Sequence, residues 1–258
     1  ARWKARRRAT AGRCCTTGAA THSSSAERGR LVPRRRRGFE YLDDPRTAPA
    51  LRERSLRDVR RANRVLGGSH AVLSEIATLL PSLDRHATLL DVGTGLADIP
   101  ARARALAARR RVRLDATGVD EAESLARVTA GLLDASVCAD ARRLPFADAS
   151  HDVVTCSQLL HHFEEGEIAG VLGELHRVAR RAVIVSDLRR SWIAAAGFWL
   201  VTWPLGFHRV SRHDGVTSVL RGFTAAELAR HVRTATGRAA ELRRHPGFRI
   251  TATWRIAT

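Results

Sequence analysis

The sequence has no methionine, one tyrosine, and aromatic side chains at only 5% of positions. A chain lacking Met even at position 1 is expected to be processed, truncated or read from an incomplete frame. It holds four cysteines but no C-x-x-C pair and no Cys/His spacing of the zinc-binding kind, so no metal is expected. Cys14 and Cys15 lie near the start; Cys138 and Cys156 fall in apolar runs and are expected as buried, reduced thiols. That usage suits a reducing, cytoplasmic setting without structural disulfides. No apolar run approaches the ~20 residues a membrane-spanning helix needs. Basic residues interleaved with aromatics, the mark of a single-strand nucleic-acid groove, are also missing, and nucleic acid is not an expected partner.

Charge is abundant in one sign only, with a formal net of +18. Much of it lies in Ala1–Gly38, where Glu27 is the single acid; Lys4 is the only lysine of the chain. This stretch, with its Arg34-Arg35-Arg36-Arg37 run, is expected to be a disordered, low-complexity tail. Its Arg- and Ser-bearing, acid-poor composition superficially fits a transit peptide, and its lack of an apolar core excludes a secretory signal.

The strongest local signal is Leu89-Leu90-Asp91-Val92-Gly93-Thr94-Gly95-Leu96-Ala97-Asp98. An apolar strand runs into a glycine turn and then a helix, the usual cradle for a nucleotide-like ligand. In a dinucleotide fingerprint the third glycine would stand at 98, where Asp98 would repel a pyrophosphate. The Gly-Lys-Ser/Thr of a P-loop is absent. Arg113–Val119 then reads as a strand ending in Asp120, an acid placed to accept from ribose hydroxyls or to cap the next helix. Ala135–Ala141 supplies another short strand ending at Asp140, and Leu144-Pro145-Phe146-Ala147-Asp148 leads into Asp152–Ser157.

The segment Asp91–Ala97 resembles the first motif of class I S-adenosylmethionine (SAM) methyltransferases, D/E-x-G-x-G-x-G, with Ala97 in place of the last glycine. The stretch from Asp140 resembles that family's D-A-x-x-L-P-F-x-D-x-S-x-D-x-V segment. The similarity covers roughly Ala50–Ile256, closest to the ubiquinone/menaquinone-type enzymes and their small-molecule and secondary-metabolite relatives in bacteria. It implies SAM as cofactor, held by Asp91, Gly93, Thr94, Gly95, Asp120, Glu121, Asp140, Ala141 and Ser157, with Asp140 on the adenine amino group. It implies an α/β fold: a Rossmann-like, seven-stranded, mostly parallel sheet with an antiparallel last strand, helices on both faces and an N-terminal helical cap.

The remaining pattern agrees. Strands are expected near Thr88–Val92, Arg113–Val119, Ser136–Ala139, Val153–Cys156 and Ala182–Ser186. Helices are expected near Ile99–Arg110, Ala122–Leu133 and Gly166–Ala179. Residues 39–86 should form the cap, with helices over Ala50–Leu66 and from Ser69, acting as N-cap, to Pro81. The core is expected over 87–258, with a substrate or lid insertion at 189–222. Thr224 with Glu227 reads as a capping box for a helix to Thr236, and two strands, Ala239–His245 and Phe248–Ile256, close the chain.

Within the insertion, Trp192–Phe207 is almost wholly apolar and holds three of the five tryptophans. A helix apolar all round is normally buried, so packing or a pocket wall is expected, with membrane-surface contact as the alternative. Arg209, Arg212, His213 and Asp214 are expected in a polar loop. Trp192, Trp199, Arg212 and His213 are candidate substrate residues. His161 and His162, just after the fourth strand, are the candidate catalytic bases, since imidazole titrates near neutral pH. Both can equally pack on the cofactor or cap the following helix. Asp187 and Arg189, after the fifth strand, are further pocket candidates. Cys156-Ser157-Gln158-Leu159 replaces the N/D-P-P-Y/F of amide- and base-directed methylases, which argues against those acceptors. The reading is methylation of a small hydrophobic, aromatic or polyketide-like acceptor on oxygen. The alternatives are carbon methylation of a prenylated quinone precursor, a non-catalytic SAM-fold scaffold, and an RNA methyltransferase steered by the basic tail.

Overall fold

The computed structural model describes residues 32–36, 38–44 and 46–256. Seven strands form one sheet: β1 (His86–Val92), β2 (Arg113–Asp120), β3 (Ala135–Cys138), β4 (His151–Ser157), β5 (Ala179–Leu188), β6 (Glu241–His245) and β7 (Arg249–Arg255). Their order is β3-β2-β1-β4-β5-β7-β6. Neighbours from β3 to β5 are parallel, and β7 runs antiparallel to both β5 and β6. Parallel strands need crossovers, and helices supply them. These are α3 (Asp98–Ala108), α4 (Glu123–Thr129) and α5 (Glu165–Val178), preceded by α1 (Pro49–Val65) and α2 (Gly68–Leu79) and followed by α6 (Trp192–Thr202), α7 (Arg209–Arg221) and α8 (Ala225–Thr236).

Each face of the sheet has its own core. On one side α5 and α8 bury Ile168, Leu172, Leu175, Leu228 and Val232 against Leu90, Val154, Val183 and Trp254. On the other, Val72, Ile76 and Leu79 of α2 and Ile99 and Ala103 of α3 pack on Leu89, Leu114, Val153 and Ile184. β4 is buried along its whole length, as a central strand covered on both faces must be. The order reverses between β1 and β4, so the crevice at their carboxyl ends is where such sheets take ligands.

Local signals mostly predict the elements, with instructive exceptions. The Thr224–Glu227 capping box forms. Ser69, expected as an N-cap, lies inside α2; Gly67, in the left-handed region at φ 78°, precedes that helix, and the Ser69 hydroxyl donates instead to Asp98 at 2.9 Å. Cys138, expected to be buried, is exposed because β3 is an edge strand, whereas Cys156 is buried. The residues expected as a polar loop, Arg209 to Asp214, are the first turns of α7. Trp192–Phe207 is buried only in part: Ala194, Ala195, Thr202 and Phe207 are buried and Phe198 packs on Gly215, while Trp192, Ile193, Trp199, Leu200, Val201 and Trp203 are exposed.

Most of the expected tail lies outside the described residues, but its end is seated on the body. Arg190 is buried and donates to Pro33 O (2.7 Å), Gly222 O (2.7 Å) and Glu227 (2.6 Å). Arg35 donates to the carbonyls of Arg221 and Phe163 and pairs with Glu165 at 3.0 Å. The backbone N–H groups of Tyr41 and Leu42 donate to the Asp214 carboxylate. The cap closes where Gly247 (φ 70°) meets the α1–α2 turn; a Cβ there would stand 1.8 Å from the Leu66 carbonyl oxygen.

Candidate active site

The glycine turn leaves β1 at the crevice. Gly93 and Thr94 donate through their N–H groups to Val119 O, at 2.8 and 2.9 Å, which ties the turn to β2. Gly93 and Gly95 have φ of 74° and 55°, and a Cβ on Gly95 would meet nothing within 4 Å. The second glycine is therefore required by its backbone conformation and faces open space. Asp120, ending β2, accepts from Gly95 N–H (3.0 Å) through Oδ2 and from Ala122 N–H (3.0 Å) through Oδ1. It thus sits at the turn and also steadies the start of the next segment. Asp91 lies beneath the turn, fully buried, accepting from Thr155 Oγ1 at 2.7 Å. Burial drives its carboxyl up to about 7, against that hydrogen bond.

The Ser157 hydroxyl, at the end of β4, is buried and meets no partner among the described residues, and the buried Thr94 hydroxyl lies toward Asp91, where it helps hold that carboxyl down. Asp140 is half-exposed and paired with Arg142, which also reaches Glu167 at 2.7 Å. The hydrogen bonds from Arg142 hold the Asp140 carboxyl below the usual range. Glu121 is exposed, and its carbonyl accepts from Cys138. Ala141 is buried against the core. The structure therefore gathers Asp91, Gly93, Thr94, Gly95, Asp120 and Ser157 around the crevice. An open glycine turn, a carboxylate at the second strand and the spare buried hydroxyl of Ser157 fit a polar adenosyl ligand with an amino-acid arm.

His161 and His162 stand in the short 3-10 turn Leu160–His162 after β4, with rings 4.3 Å apart. His161 is buried, and its Nδ1 lies 2.7 Å from Asp187 Oδ1. Asp187 Oδ2 accepts the His161 backbone N–H at 3.0 Å. Burial pushes the Asp187 carboxyl up, but the charge of His161 and its hydrogen bond outweigh that and leave it low. An ionised Asp187 accepts from Nδ1, and in the neutral imidazole that arrangement leaves Nε2 to accept. His161 and His162 line a cavity of about 520 Å³ together with Arg35, Arg36, Gly38 and Arg221. Glu40, His161 and His162 bring one donor atom each within 4.8 Å of the others. A cation there would compete with Arg221, whose Nη1 is 2.9 Å from Glu40 Oε1.

The four candidate substrate residues cluster around α6 and α7 rather than around His161. The Arg212 guanidinium lies 3.8 Å from the Trp199 ring centroid and donates to Trp199 O at 3.0 Å. His213 contacts Tyr41 edge-on and Asp214 at 3.1 Å. Trp192 faces Arg36, one of the cavity residues, at 5.7 Å.

Arg249 was invisible to motif reading in so arginine-rich a chain. It stands at the start of β7, paired with Leu188 at the carboxyl end of β5, and is only 3% exposed. Its Nη2 donates weakly to Asn63 Oδ1 (3.4 Å), while Nε and Nη1 meet no acceptor among the described residues. Burial lowers it to about 10 despite the charge of Asp187. The one available signal was the run Arg249, Thr251, Thr253, polar at every second position of a strand whose other face is apolar.

A doubly wound sheet ending in an antiparallel pair, with a glycine turn and an acid on the next strand, is the fold of the class I SAM-dependent methyltransferases, and this chain shares it. Residues 90–185 match the family model described as a methyltransferase domain. Among solved structures, the plantazolicin methyltransferase BamL, in complex with a triazolic desmethylPZN analog and SAH, aligns at 16% identity. That alignment covers 81% of this chain and 75% of BamL, with TM-score 0.58. A SAM-dependent methyltransferase from Aquifex aeolicus aligns at 15% identity over 85% of this chain and 100% of its own, with TM-score 0.52. Magnesium protoporphyrin IX methyltransferase (ChlM) from Synechocystis PCC 6803, with bound SAH, aligns at 15% over 77% and 87%, with TM-score 0.51. At these identities the likeness is one of fold. No curated protein matches the chain. No helix among the described residues is long and apolar enough to cross a membrane.

Proposed function

We propose that the chain transfers a methyl group from SAM to a hydroxyl of a small, hydrophobic acceptor, with His161 as the base. The observation that carries this is His161, which lines the cavity beyond β4 while its Nδ1 is held by the fully buried Asp187. SAM, when bound, supplies a methyl group on a sulfonium, ready for in-line displacement. Asp91, Gly93, Thr94, Gly95, Asp120, Glu121, Asp140, Ala141 and Ser157 would hold it. Asp187 orients the imidazole and stabilises the imidazolium formed as the acceptor loses its proton to Nε2. His162, stacked on His161, shapes the cavity wall. The small acceptor is in keeping with what the fold neighbours are named for, plantazolicin and magnesium protoporphyrin IX.

Carbon methylation of a prenylated quinone precursor is the second reading. It is favoured by the apolar α6, whose Trp192 adjoins the cavity residue Arg36. The test has two stages. SAM and SAH are titrated calorimetrically into the full chain, and turnover of a panel of phenols and quinone precursors is then measured for wild type and His161→Gln. Loss of phenol turnover with unchanged SAH affinity supports the base. Absence of SAH binding removes the reading in favour of a scaffold. Methylation of RNA by the full chain, lost on deleting residues 1–31, would replace it with the RNA enzyme.

A further inference from the structure

The α6 helix is built the wrong way round for an ordinary surface helix. Its sequence, Trp192-Ile193-Ala194-Ala195-Ala196-Gly197-Phe198-Trp199-Leu200-Val201-Thr202, carries no charge. A surface helix turns its large apolar side chains inward and its polar ones outward. Here the inward positions are Ala194, Ala195, Phe198, which packs on Gly215 and Phe207, and Thr202, while Ile193 is 54% exposed, Leu200 63% and, one residue past the helix, Trp203 69%. Trp192, Ile193, Trp199, Leu200 and Trp203 follow at helical spacings and make one continuous apolar stripe. Contiguous apolar surface of this kind on a soluble chain marks an interaction site.

What covers it is decided by the rim, which is positive. The exposed Arg36 lies against Trp192 and the exposed Arg61 against Phe207 while donating to Leu205 O; Arg212, 8% exposed, backs the Trp199 and Trp203 rings from within. The acid beside the α6–α7 turn, Asp58, accepts from the His208 N–H. A second copy seated by a two-fold axis would bring these arginines against one another. The segment before residue 32 offers only Trp3 and Leu31 as large apolar residues, too few to cover the stripe. An anionic bilayer matches on both counts. Tryptophan rings favour the headgroup boundary, and arginines placed at the level of the rings reach acidic headgroups. The eleven residues of α6 extend about 16 Å at 1.5 Å each, so the helix lies in the interface rather than spanning it.

We propose that this face docks the protein on anionic lipid bilayers, with α6 and Trp203 seated at the headgroup–acyl boundary. The inference is independent of the methyl-transfer reading.

The test is co-sedimentation of the full chain with vesicles of phosphatidylcholine alone or mixed with phosphatidylglycerol, at low and high salt, with tryptophan fluorescence alongside. The expected result is binding to the phosphatidylglycerol vesicles at least tenfold stronger than to phosphatidylcholine, weakened by salt, with a blue-shifted emission. Leu200→Ser with Trp203→Ser should lower that binding at least tenfold, and Arg61→Glu should lower it several-fold. All three side chains are exposed, so circular dichroism should stay unchanged. Equal binding by the variants, or none by wild type at low salt, overturns the proposal. So does a wild-type dimer in sedimentation equilibrium that Leu200→Ser/Trp203→Ser converts to monomer, which would assign the face to self-association.

Discussion

Asp187 grips His161 at two points, accepting from Nδ1 at 2.7 Å with one oxygen and from the backbone N–H at 3.0 Å with the other. Both the ring and the turn that carries it are thereby held by one carboxylate at the end of the neighbouring strand.

If that grip serves proton transfer, Asp187→Asn should lower turnover of hydroxyl acceptors by roughly 10²–10⁴, the range a positioned base contributes. His161→Gln should match it. SAH affinity should move little in either variant, since neither residue lies at the glycine turn. The measurement is kcat/KM against pH together with calorimetry. Unchanged turnover in both variants would reduce the pair to a structural contact.

Asp120 should matter for binding. Asp120→Ala removes the acceptor for Gly95 N–H and, on the proposed reading, the ribose contact. SAH affinity should fall at least tenfold with thermal stability lowered only modestly. Titration of SAH into both proteins decides it.

Asp91 predicts a pH dependence of stability. Its carboxyl is raised from 3.8 to about 7 by burial, so the folded state holds this proton more tightly than the unfolded chain does. Stability from this group is complete below about pH 4, declines as pH rises to about 7, and is level above that. At 1.36 kcal/mol per tenfold, the penalty reaches at most about 4 kcal/mol. Asp91→Asn should flatten that decline in urea melts recorded from pH 4 to 8, other groups contributing equally to both proteins.

Arg249 predicts a trade between stability and function. A buried guanidinium with two unpartnered nitrogens costs stability, and an apolar residue of similar length removes that cost. Arg249→Met should raise the urea midpoint, by about 1–3 kcal/mol in stability, and lower turnover of the hydroxyl acceptors, since its charge stands at the end of β5 by Asp187. A destabilised variant with intact turnover would show the arginine to be a packing element.

Much of this protein follows from short-range pattern. The turn Asp91–Asp98 declares itself because only glycine adopts left-handed backbone freely next to a ligand. The alternation of apolar runs and amphipathic helices declares the sheet because each period is a local property. Asp120 and Asp140 could be picked out because strand ends lie at predictable distances along the chain. Tertiary structure decided the rest. Nothing near His161 in sequence announces Asp187, 26 residues away, as its partner. Nothing in β7 alone says that Arg249 will be sealed under the α1–α2 turn. Residues 32–36 look like the end of a basic tail until Arg190 and Arg221 reach them. The apolar Trp192–Phe207 was expected inside, because a helix apolar all round names no side to bury. Which face is covered depends on the neighbours that fold against it, and here they cover the alanines and leave the tryptophans outside.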